Sequence, residues 1–270
     1  MLAIIAGEGT LPEVLYSNLV QRGEAPLVVE LEGFPSTIKK VKPIRFRVEH
    51  LGSLLADLKT QGVTELCLAG RVQRPKLDPA AVDAATEPFV PGIVAAITSG
   101  DDGALREVLF IIEEFGFELR AAHELMPELL PALGVPTVAK PGERDRQDAS
   151  RAAEIMIAVG PADIGQGCVV VAGQALAIEA LGGTDWMLDS LAGNRRPEGP
   201  PGGILYKAPK PGQDRRADLP VIGPQTMAGV RAAGLSGIVI EEGGVIVLDQ
   251  AATIGAADAA GLFLWVRDTP

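Results

Sequence analysis

Short apolar runs alternate with amphipathic segments along the first half of the chain. The run Leu2–Ala6 predicts a strand, and Pro12 marks the start of a helix that ends near Gln21, because proline is favoured in the first helical turn. The same patterns predict further strands at 26–31, 65–69 and 117–121 and helices at 51–61 and 104–115. Alternation of strands and helices predicts an α/β fold with a parallel, Rossmann-like sheet.

The pattern changes after residues 133–148, which are rich in proline, glycine and charge and predict a domain boundary. We therefore expect an N-terminal Rossmann-like domain at 1–134, a linker at 135–148 and a C-terminal α/β domain at 149–270. A helix at 149–159 and strands at 167–172, 174–178, 203–207, 221–222, 237–240 and 245–248 are predicted within the last of these. Residues 241–244, with the sequence E-E-G-G, predict a hairpin turn between the final two strands.

The charge of the chain restricts the classes of partner. The sequence has 35 acidic and 24 basic residues, a net charge of −11, which argues against nucleic acid and against a broad basic face for anionic lipid. The chain has no apolar run long enough to span a bilayer and no signal peptide pattern, so we expect a cytoplasmic protein. Cys67 and Cys168 lie in apolar runs, as buried thiols of a reducing compartment do.

The loop after the first predicted strand has the sequence I-A-G-E-G-T-L-P. Gly7 and Gly9 would let backbone N–H groups approach a phosphate at the start of a helix. Pro12 stands where a dinucleotide-binding fingerprint has its third glycine, so an NAD-dependent oxidoreductase is disfavoured. Glu30, about one strand further on, is a candidate for a ribose hydroxyl. The structural alternative is a tight turn that needs glycine only for its backbone shape.

Two charged loops follow in the first half. L-A-G-R-V-Q-R-P places Arg71 and Arg74 beyond a strand, where open α/β sheets bind ligands, and a guanidinium there could hold a phosphate. Solvated loop charge is the alternative. Asp101 and Asp102 lie at a helix start, where at least one of them is expected to cap the helix.

Charged motifs are denser in the second half. D-I-G-Q at 163–166 precedes a strand, E-A-L-G-G-T-D-W-M at 179–187 follows another, and residues 207–220 alternate cations and carboxylates between prolines. Such a cluster could hold a diphosphate and a divalent ion together. Because the only two histidines, His50 and His123, lie far apart, carboxylates would have to hold the metal, which favours Mg²⁺ or Mn²⁺. The alternative is a structural network of ion pairs.

Six motifs occur in order along the chain: I-A-G-x-G-x-L-P, L-A-G-R-V-x-R-P, G-D-D, D-I-G-Q, G-T-D-x-M and K-x-x-K-P-x-Q-D-x-R-x-D-L-P-x-I-G. Together they resemble those of the UDP-2,3-diacylglucosamine pyrophosphatase family, in the branch distinct from the calcineurin-like enzyme. The resemblance implies an Mg²⁺-dependent hydrolase of lipid A biosynthesis. Water would attack the sugar-side phosphorus and release UMP and 2,3-diacylglucosamine 1-phosphate. It also implies two domains with the substrate between them.

The resemblance assigns the central role to Asp218 of D-L-P, as a metal ligand or as the group that orients the attacking water. Asp185 and Asp214 are expected as supporting catalytic carboxylates, with Asp214 as the second metal ligand. The family commonly has an arginine two places beyond the methionine of G-T-D-x-M, whereas Asp189 follows here, so a contact from that arginine must come from Arg195 or Arg196 or be lost.

The substrate-binding residues expected from the motifs and their positions are Gly7, Gly9, Leu11, Arg71, Gln166, Thr184, Lys207, Lys210 and Arg215. Candidates for an acyl-chain cleft, each more often simple core, are Met187, Leu188, Leu191, Leu262, Phe263 and Trp265. The apolar run 262–266 is alternatively a strand for dimer or membrane contact. Transient contact with the cytoplasmic face of the inner membrane and a homodimer are left open, and a non-catalytic nucleotide-sugar or lipid-binding module is the alternative function.

Overall fold

A computed structural model describes residues 1–73, 75–98, 101–194 and 201–268. Its internal contacts divide the chain into two units. The first unit consists of Met1–Pro127 and Asp214–Asp218, and the second consists of Glu128–Gln213 and Leu219–Pro270. A five-residue segment from late in the chain is therefore part of the first unit.

The first unit is built on a parallel sheet with the strand order β3-β2-β1-β4-β5. Its strands are β1 (Leu2–Ala6), β2 (Leu27–Leu31), β3 (Ile44–Phe46), β4 (Glu65–Ala69) and β5 (Glu118–Leu119), and its helices are α1 (Leu11–Gln21), α2 (Leu51–Thr60), α3 (Val90–Thr98), α4 (Asp101–Glu114) and α5 (Ala122–Leu125). The central strand β1 is entirely apolar, as expected for a parallel sheet that is covered on both faces. The predicted Rossmann-like parallel sheet is confirmed.

The second unit has a mixed sheet with the order β12-β10-β8-β6-β7, in which β12, β10 and β8 are parallel and β6 is antiparallel to both of its neighbours. Its elements are α6 (Glu143–Val159), β6 (Gly167–Val171), β7 (Gln174–Ile178), α7 (Gly183–Asn194), β8 (Ile204–Lys207), β9 (Val221–Ile222), α8 (Pro224–Ala232), β10 (Gly237–Glu241), β11 (Ile246–Val247), α9 (Gln250–Ala260) and β12 (Phe263–Arg267). Every residue of β6, β8 and β10 is buried, so these strands form the centre of the unit.

Two predictions for this unit are wrong. The turn at 241–244 does not form a hairpin, because β10 pairs with β8 and β12 while β11 pairs in parallel with β9 in a separate two-stranded sheet. The helix predicted from Ala149 begins at Glu143, since the Gly142 N–H donates to the Asp145 carboxylate at 2.8 Å and caps the helix six residues earlier. Residues 143–148 of the predicted linker are therefore helical.

The apolar run near the end of the chain is explained within the fold. β12 pairs in parallel with β10, and Phe263 and Leu264 are buried in the core. Burial within the fold therefore explains the hydrophobicity of β12 without a dimer or a membrane contact. Within the described ranges, no helix combines the length and the apolar character needed to cross a bilayer.

Candidate active site

The loops after β1 and β4 lie backbone against backbone. The Gly7 N–H donates to the Ala69 carbonyl at 2.8 Å, and Glu8 and Arg71 exchange backbone hydrogen bonds of 2.8 and 2.9 Å. A Cβ at Gly7 would lie 2.5 Å from the Arg71 carbonyl oxygen, so the loop pair requires glycine there. The amides of Gly7 and Glu8 are thus used inside the first unit and are not directed at a ligand.

The other predicted residues of these loops have different environments. Gly9 adopts a φ of +99°, and its carbonyl accepts a hydrogen bond from the Thr37 hydroxyl at 3.1 Å. Leu11 is buried at the start of α1. Arg71 is exposed just beyond β4, at the carboxyl end of the parallel strands, where the sequence predicts a phosphate contact. Arg74 lies outside the described residues.

Glu30, the candidate for a ribose hydroxyl, is buried near the end of β2. Its Oε1 accepts hydrogen bonds from the Ser36 backbone N–H at 3.0 Å and from the Ser36 hydroxyl at 2.7 Å. Arg45 lies 3.5 Å from the other carboxylate oxygen. The carboxylate therefore anchors the loop after β2 within the first unit.

The D-I-G-Q loop of the second unit packs tightly on Glu179. Gly165 has a φ of +53°, and a Cβ there would lie 2.0 Å from the Glu179 carbonyl oxygen, while a Cβ at Gly167 would lie 2.9 Å from its Oε2. Gln166 is half-buried, and its carbonyl accepts the Ala208 N–H at 3.1 Å. The motif thus joins the segment before α7 to the end of β8.

Lys207, Thr184 and Glu179 form a buried cluster. Lys207 ends β8 with only 3% of its surface exposed, and its Nζ lies 3.1 Å from Glu179 Oε2. The ammonium also donates to the Thr184 hydroxyl, which donates to Glu179 Oε2 at 2.9 Å. The structure brings together the predicted Lys207 and Thr184, but it balances the lysine charge with a carboxylate of the protein.

Lys210 also has a carboxylate partner. Its side chain is 9% exposed and donates to Asp163, and its backbone N–H donates to Gln213 Oε1 at 2.8 Å. Both lysines assigned to phosphate charge are thus engaged in ion pairs of the second unit.

The segment Asp214–Asp218 contains a second charged cluster, in the first unit. Asp214 Oδ1 accepts the Arg216 backbone N–H at 2.9 Å and its Nε at 3.0 Å, and Oδ2 accepts Nη2 at 2.7 Å. The remaining Arg216 nitrogen, Nη1, donates to Glu113 Oε1 of α4 at 2.6 Å. Hydrogen bonds from Arg216 lower the pKa of Asp214 from its ordinary value, against the opposing effect of burial.

The other carboxylates assigned to catalysis differ in exposure. Asp218 is half-buried, and its N–H donates to the Asp214 carbonyl at 3.4 Å. Arg215, assigned to a phosphate contact, is exposed in the same segment. Asp185 is exposed in the first turn of α7 and belongs to the second unit.

The metal predicted from the sequence can be tested against these donors. In the part of the chain that the structure describes, no three His, Cys, Asp or Glu side chains are grouped so that they could hold a metal ion. Asp214 does not fit as a ligand, because both of its oxygens accept hydrogen bonds from Arg216. Because Mg²⁺ is commonly held by one or two carboxylates together with substrate phosphates, Asp218 as a single protein ligand stays a prediction.

The residues proposed for an acyl cleft are mostly core. Five of them are buried, namely Met187, Leu188, Leu191, Leu262 and Phe263, and Trp265 is partly buried against the cluster that contains Phe263. The exposed apolar side chains near the G-T-D motif are instead Leu181 and Trp186, at 88% and 64% exposure. Arg195 and Arg196 lie outside the described residues.

Four charged residues of these clusters were not assigned from the sequence. Glu179, Asp163 and Arg216 lie inside the quoted motifs, so the motifs were the signal that could have found them. Glu113 lies in an ordinary helical pattern on α4, and nothing local marks it.

The fold and these loops define a two-unit α/β protein with charged loops beyond strands of each sheet. A family model described as the LpxI N-terminal domain matches residues 1–129, and one described as the LpxI C-terminal domain matches residues 132–265, so the chain belongs to the LpxI family. It is similar to the protein named UDP-2,3-diacylglucosamine pyrophosphatase LpxI of Caulobacter vibrioides, with 38% identity over 270 residues that cover 97% of this chain and 96% of that protein.

Proposed function

We propose that this chain is a pyrophosphatase that hydrolyses UDP-2,3-diacylglucosamine to UMP and 2,3-diacylglucosamine 1-phosphate in lipid A biosynthesis. The observation that carries the proposal is the match to both domains of the family, with a relative of that name along 97% of the chain. A non-catalytic binding module is disfavoured because that relative is named as a pyrophosphatase.

The reaction requires a water molecule to attack a phosphorus that is surrounded by negative oxygens. We assign to Asp218 the task of accepting a hydrogen bond from this water and orienting it towards the sugar-side phosphorus. As the water oxygen bonds to that phosphorus, a water proton passes to the Asp218 carboxylate and on to solvent, while the bond to the bridging oxygen breaks and its electron pair leaves with UMP. Holding the water in line contributes by proximity and orientation.

The charge of the diphosphate must be neutralised at the same time. Arg71 and Arg215 are the predicted phosphate contacts that are exposed, and we assign this task to them first. Lys207 and Lys210 would act by shaping their loops, because each has a carboxylate partner in the second unit. Mg²⁺, or Mn²⁺ in its place, would be held by Asp218 and the diphosphate oxygens and would supply further positive charge.

The test is to incubate the protein with UDP-2,3-diacylglucosamine in oxygen-18 water, with and without Mg²⁺, and to identify both products. We expect UMP release and the label in the lipid phosphate. Asp218→Ala should lower the rate by about 10³-fold, since loss of one proton-handling group costs about 10²- to 10⁴-fold. Asp57→Ala, which removes an exposed aspartate of α2, should leave it unchanged.

Three outcomes would contradict parts of this assignment. Label in UMP would place the attack on the other phosphorus. A normal rate for Asp218→Ala would remove the central role of this carboxylate, and substrate binding without UMP release would favour the non-catalytic module. Contact with the inner membrane and a homodimer stay predictions.

A further inference from the structure

Two side chains of the segment Asp214–Asp218, those of Arg216 and Ala217, have contacts with the first unit that bear on the position of Asp218. Ala217 packs against the apolar cluster of that unit, and Arg216 reaches Glu113 on α4. The chain enters the segment from Gln213 and leaves it to Leu219, which both belong to the second unit. The place of Asp218 in the first unit therefore depends on the groups that hold this short segment.

We propose that Arg216 and Glu113 are positioning residues that hold the segment in the conformation in which Asp218 acts. This inference rests on the proposed function. Asp214 has the same positioning role, because its carboxylate accepts hydrogen bonds from Arg216 instead of being open to a ligand.

The geometry of the guanidinium supports this role. Arg216 uses Nε and Nη2 for Asp214 and Nη1 for Glu113, so one planar group joins two carboxylates that are far apart in sequence. The rigid fork of arginine suits this double contact, and an ammonium does not reproduce it.

The same contacts fix the backbone that leads to Asp218. Asp214 Oδ1 accepts the Arg216 N–H at 2.9 Å, and the Asp214 carbonyl accepts the Asp218 N–H at 3.4 Å. The segment thus forms a turn that is closed by one side-chain hydrogen bond and by one backbone hydrogen bond. If Arg216 loses Glu113, the turn loses this polar contact with α4.

Stability alone does not account for this arrangement. The Arg216 and Glu113 side chains are 40% and 44% exposed, and ion pairs with such exposure contribute little to the free energy of unfolding. Loss of the pair should therefore change the position of Asp218 more than it changes the stability of the unit.

The first experiment compares Arg216→Ala and Glu113→Ala with Glu114→Ala, which removes an exposed carboxylate from the next position of the same helix. We expect kcat to fall about 100-fold for Arg216→Ala and about tenfold for Glu113→Ala, because a displacement of about 1 Å can cost 10²-fold. KM should change less than about threefold, in keeping with loss of an interaction that serves the transition state. The control should keep the wild-type kcat, and all three variants should unfold at similar temperatures.

A double variant separates positioning from an independent effect. In the Asp218→Ala background, Arg216→Ala should cause no further loss of the residual rate, because residues that act through one group are not additive. A further 100-fold loss would overturn the proposal, as would a wild-type kcat for Arg216→Ala.

Amide hydrogen exchange tests the positioning without any turnover. The peptide that covers 214–218 should exchange at least tenfold faster in Arg216→Ala and Glu113→Ala than in the wild type and in Glu114→Ala. Equal exchange in all four proteins would overturn the proposal even if UDP-2,3-diacylglucosamine is hydrolysed. If the wild type releases no UMP, the proposed function fails, while the exchange rates still decide whether the two residues hold the segment.

Discussion

The buried cluster of the second unit makes the sharpest prediction for stability. Glu179→Ala removes the carboxylate that lies 3.1 Å from the Lys207 ammonium, at a position where the lysine is almost fully buried. Thr184 would remain as a hydrogen-bond partner of the ammonium, but it carries no charge. The variant therefore leaves an uncompensated positive charge inside the protein.

The expected loss follows from this burial. Removing one partner of a buried ion pair costs about 3–5 kcal/mol. With a urea dependence of about 2 kcal/mol per molar for a small unit, the unfolding midpoint should fall by about 1.5–2.5 M. Tryptophan fluorescence reports this unit, because Trp186 and Trp265 are the only tryptophans in the chain and both belong to it.

A matched control separates burial from ion pairing itself. Arg151 and Glu154 on α6 form a pair at 2.9 Å whose side chains are 52% and 67% exposed. Arg151→Ala should cost no more than about 1 kcal/mol, since exposed pairs contribute little. The double variant Glu179→Leu with Lys207→Met should also lower the free energy of unfolding by less than Glu179→Ala does, because the double variant leaves no charge unpaired. Equal midpoint shifts for Glu179→Ala and Arg151→Ala would refute the reasoning.

Three further predictions concern stability and thiol reactivity. Burial favours the neutral form of Glu49, but hydrogen bonds from Arg47 and from backbone N–H groups outweigh it and lower its pKa from 4.5 to about 2. The ionised carboxylate stabilises the fold fully above about pH 4.5, and this stabilisation is lost as the pH falls towards 2. The unfolding temperature of the wild type should therefore fall more steeply with pH in that range than the unfolding temperature of Glu49→Gln. Parallel pH profiles for the two proteins would contradict this prediction. Gly7→Ala should lower the free energy of unfolding by about 1–3 kcal/mol, because the new Cβ would overlap the Arg71 carbonyl oxygen. Thermal unfolding followed by circular dichroism measures this change. An unchanged unfolding temperature would show that the two loops can separate freely. Burial raises the pKa of both cysteines to about 12. A chromogenic thiol reagent at pH 8 should therefore label neither cysteine in the folded protein and both cysteines in denaturant. Rapid labelling of the folded protein would argue against their burial.

The parallel sheet of the first unit could be predicted because its strands are short, apolar and separated by amphipathic helices. The pattern does not predict the helices α3, α7, α8 and α9. In α9 the sequence is Q-A-A-T-I-G-A-A-D-A-A, whose alanines and glycine give little contrast between a buried and an exposed face. The hairpin at 241–244 was wrong for a related reason. A turn sequence between two strands does not say whether the strands pair with each other or with others.

The candidate site was predictable only in part. The resemblance assigned Lys207 and Thr184 to one substrate site, and the structure brings these two side chains into contact, although β6 lies between the strands that precede them. They did not show that Glu179 balances Lys207, nor that Arg216 reaches Glu113, which lies 103 residues earlier. Such pairs depend on how distant segments fold together, and a local pattern contains no information about them.

The membership of Asp214–Asp218 in the first unit has a consequence for biosynthesis. A ribosome completes residues 1–127 long before it adds Asp218, so the N-terminal sheet emerges without the turn that will later pack on it. An isolated fragment ending at Pro127 would have the same gap, with Glu113 facing water instead of Arg216. The carboxylate to which we assign water activation is therefore put in place late, and a truncated translation product would lack it.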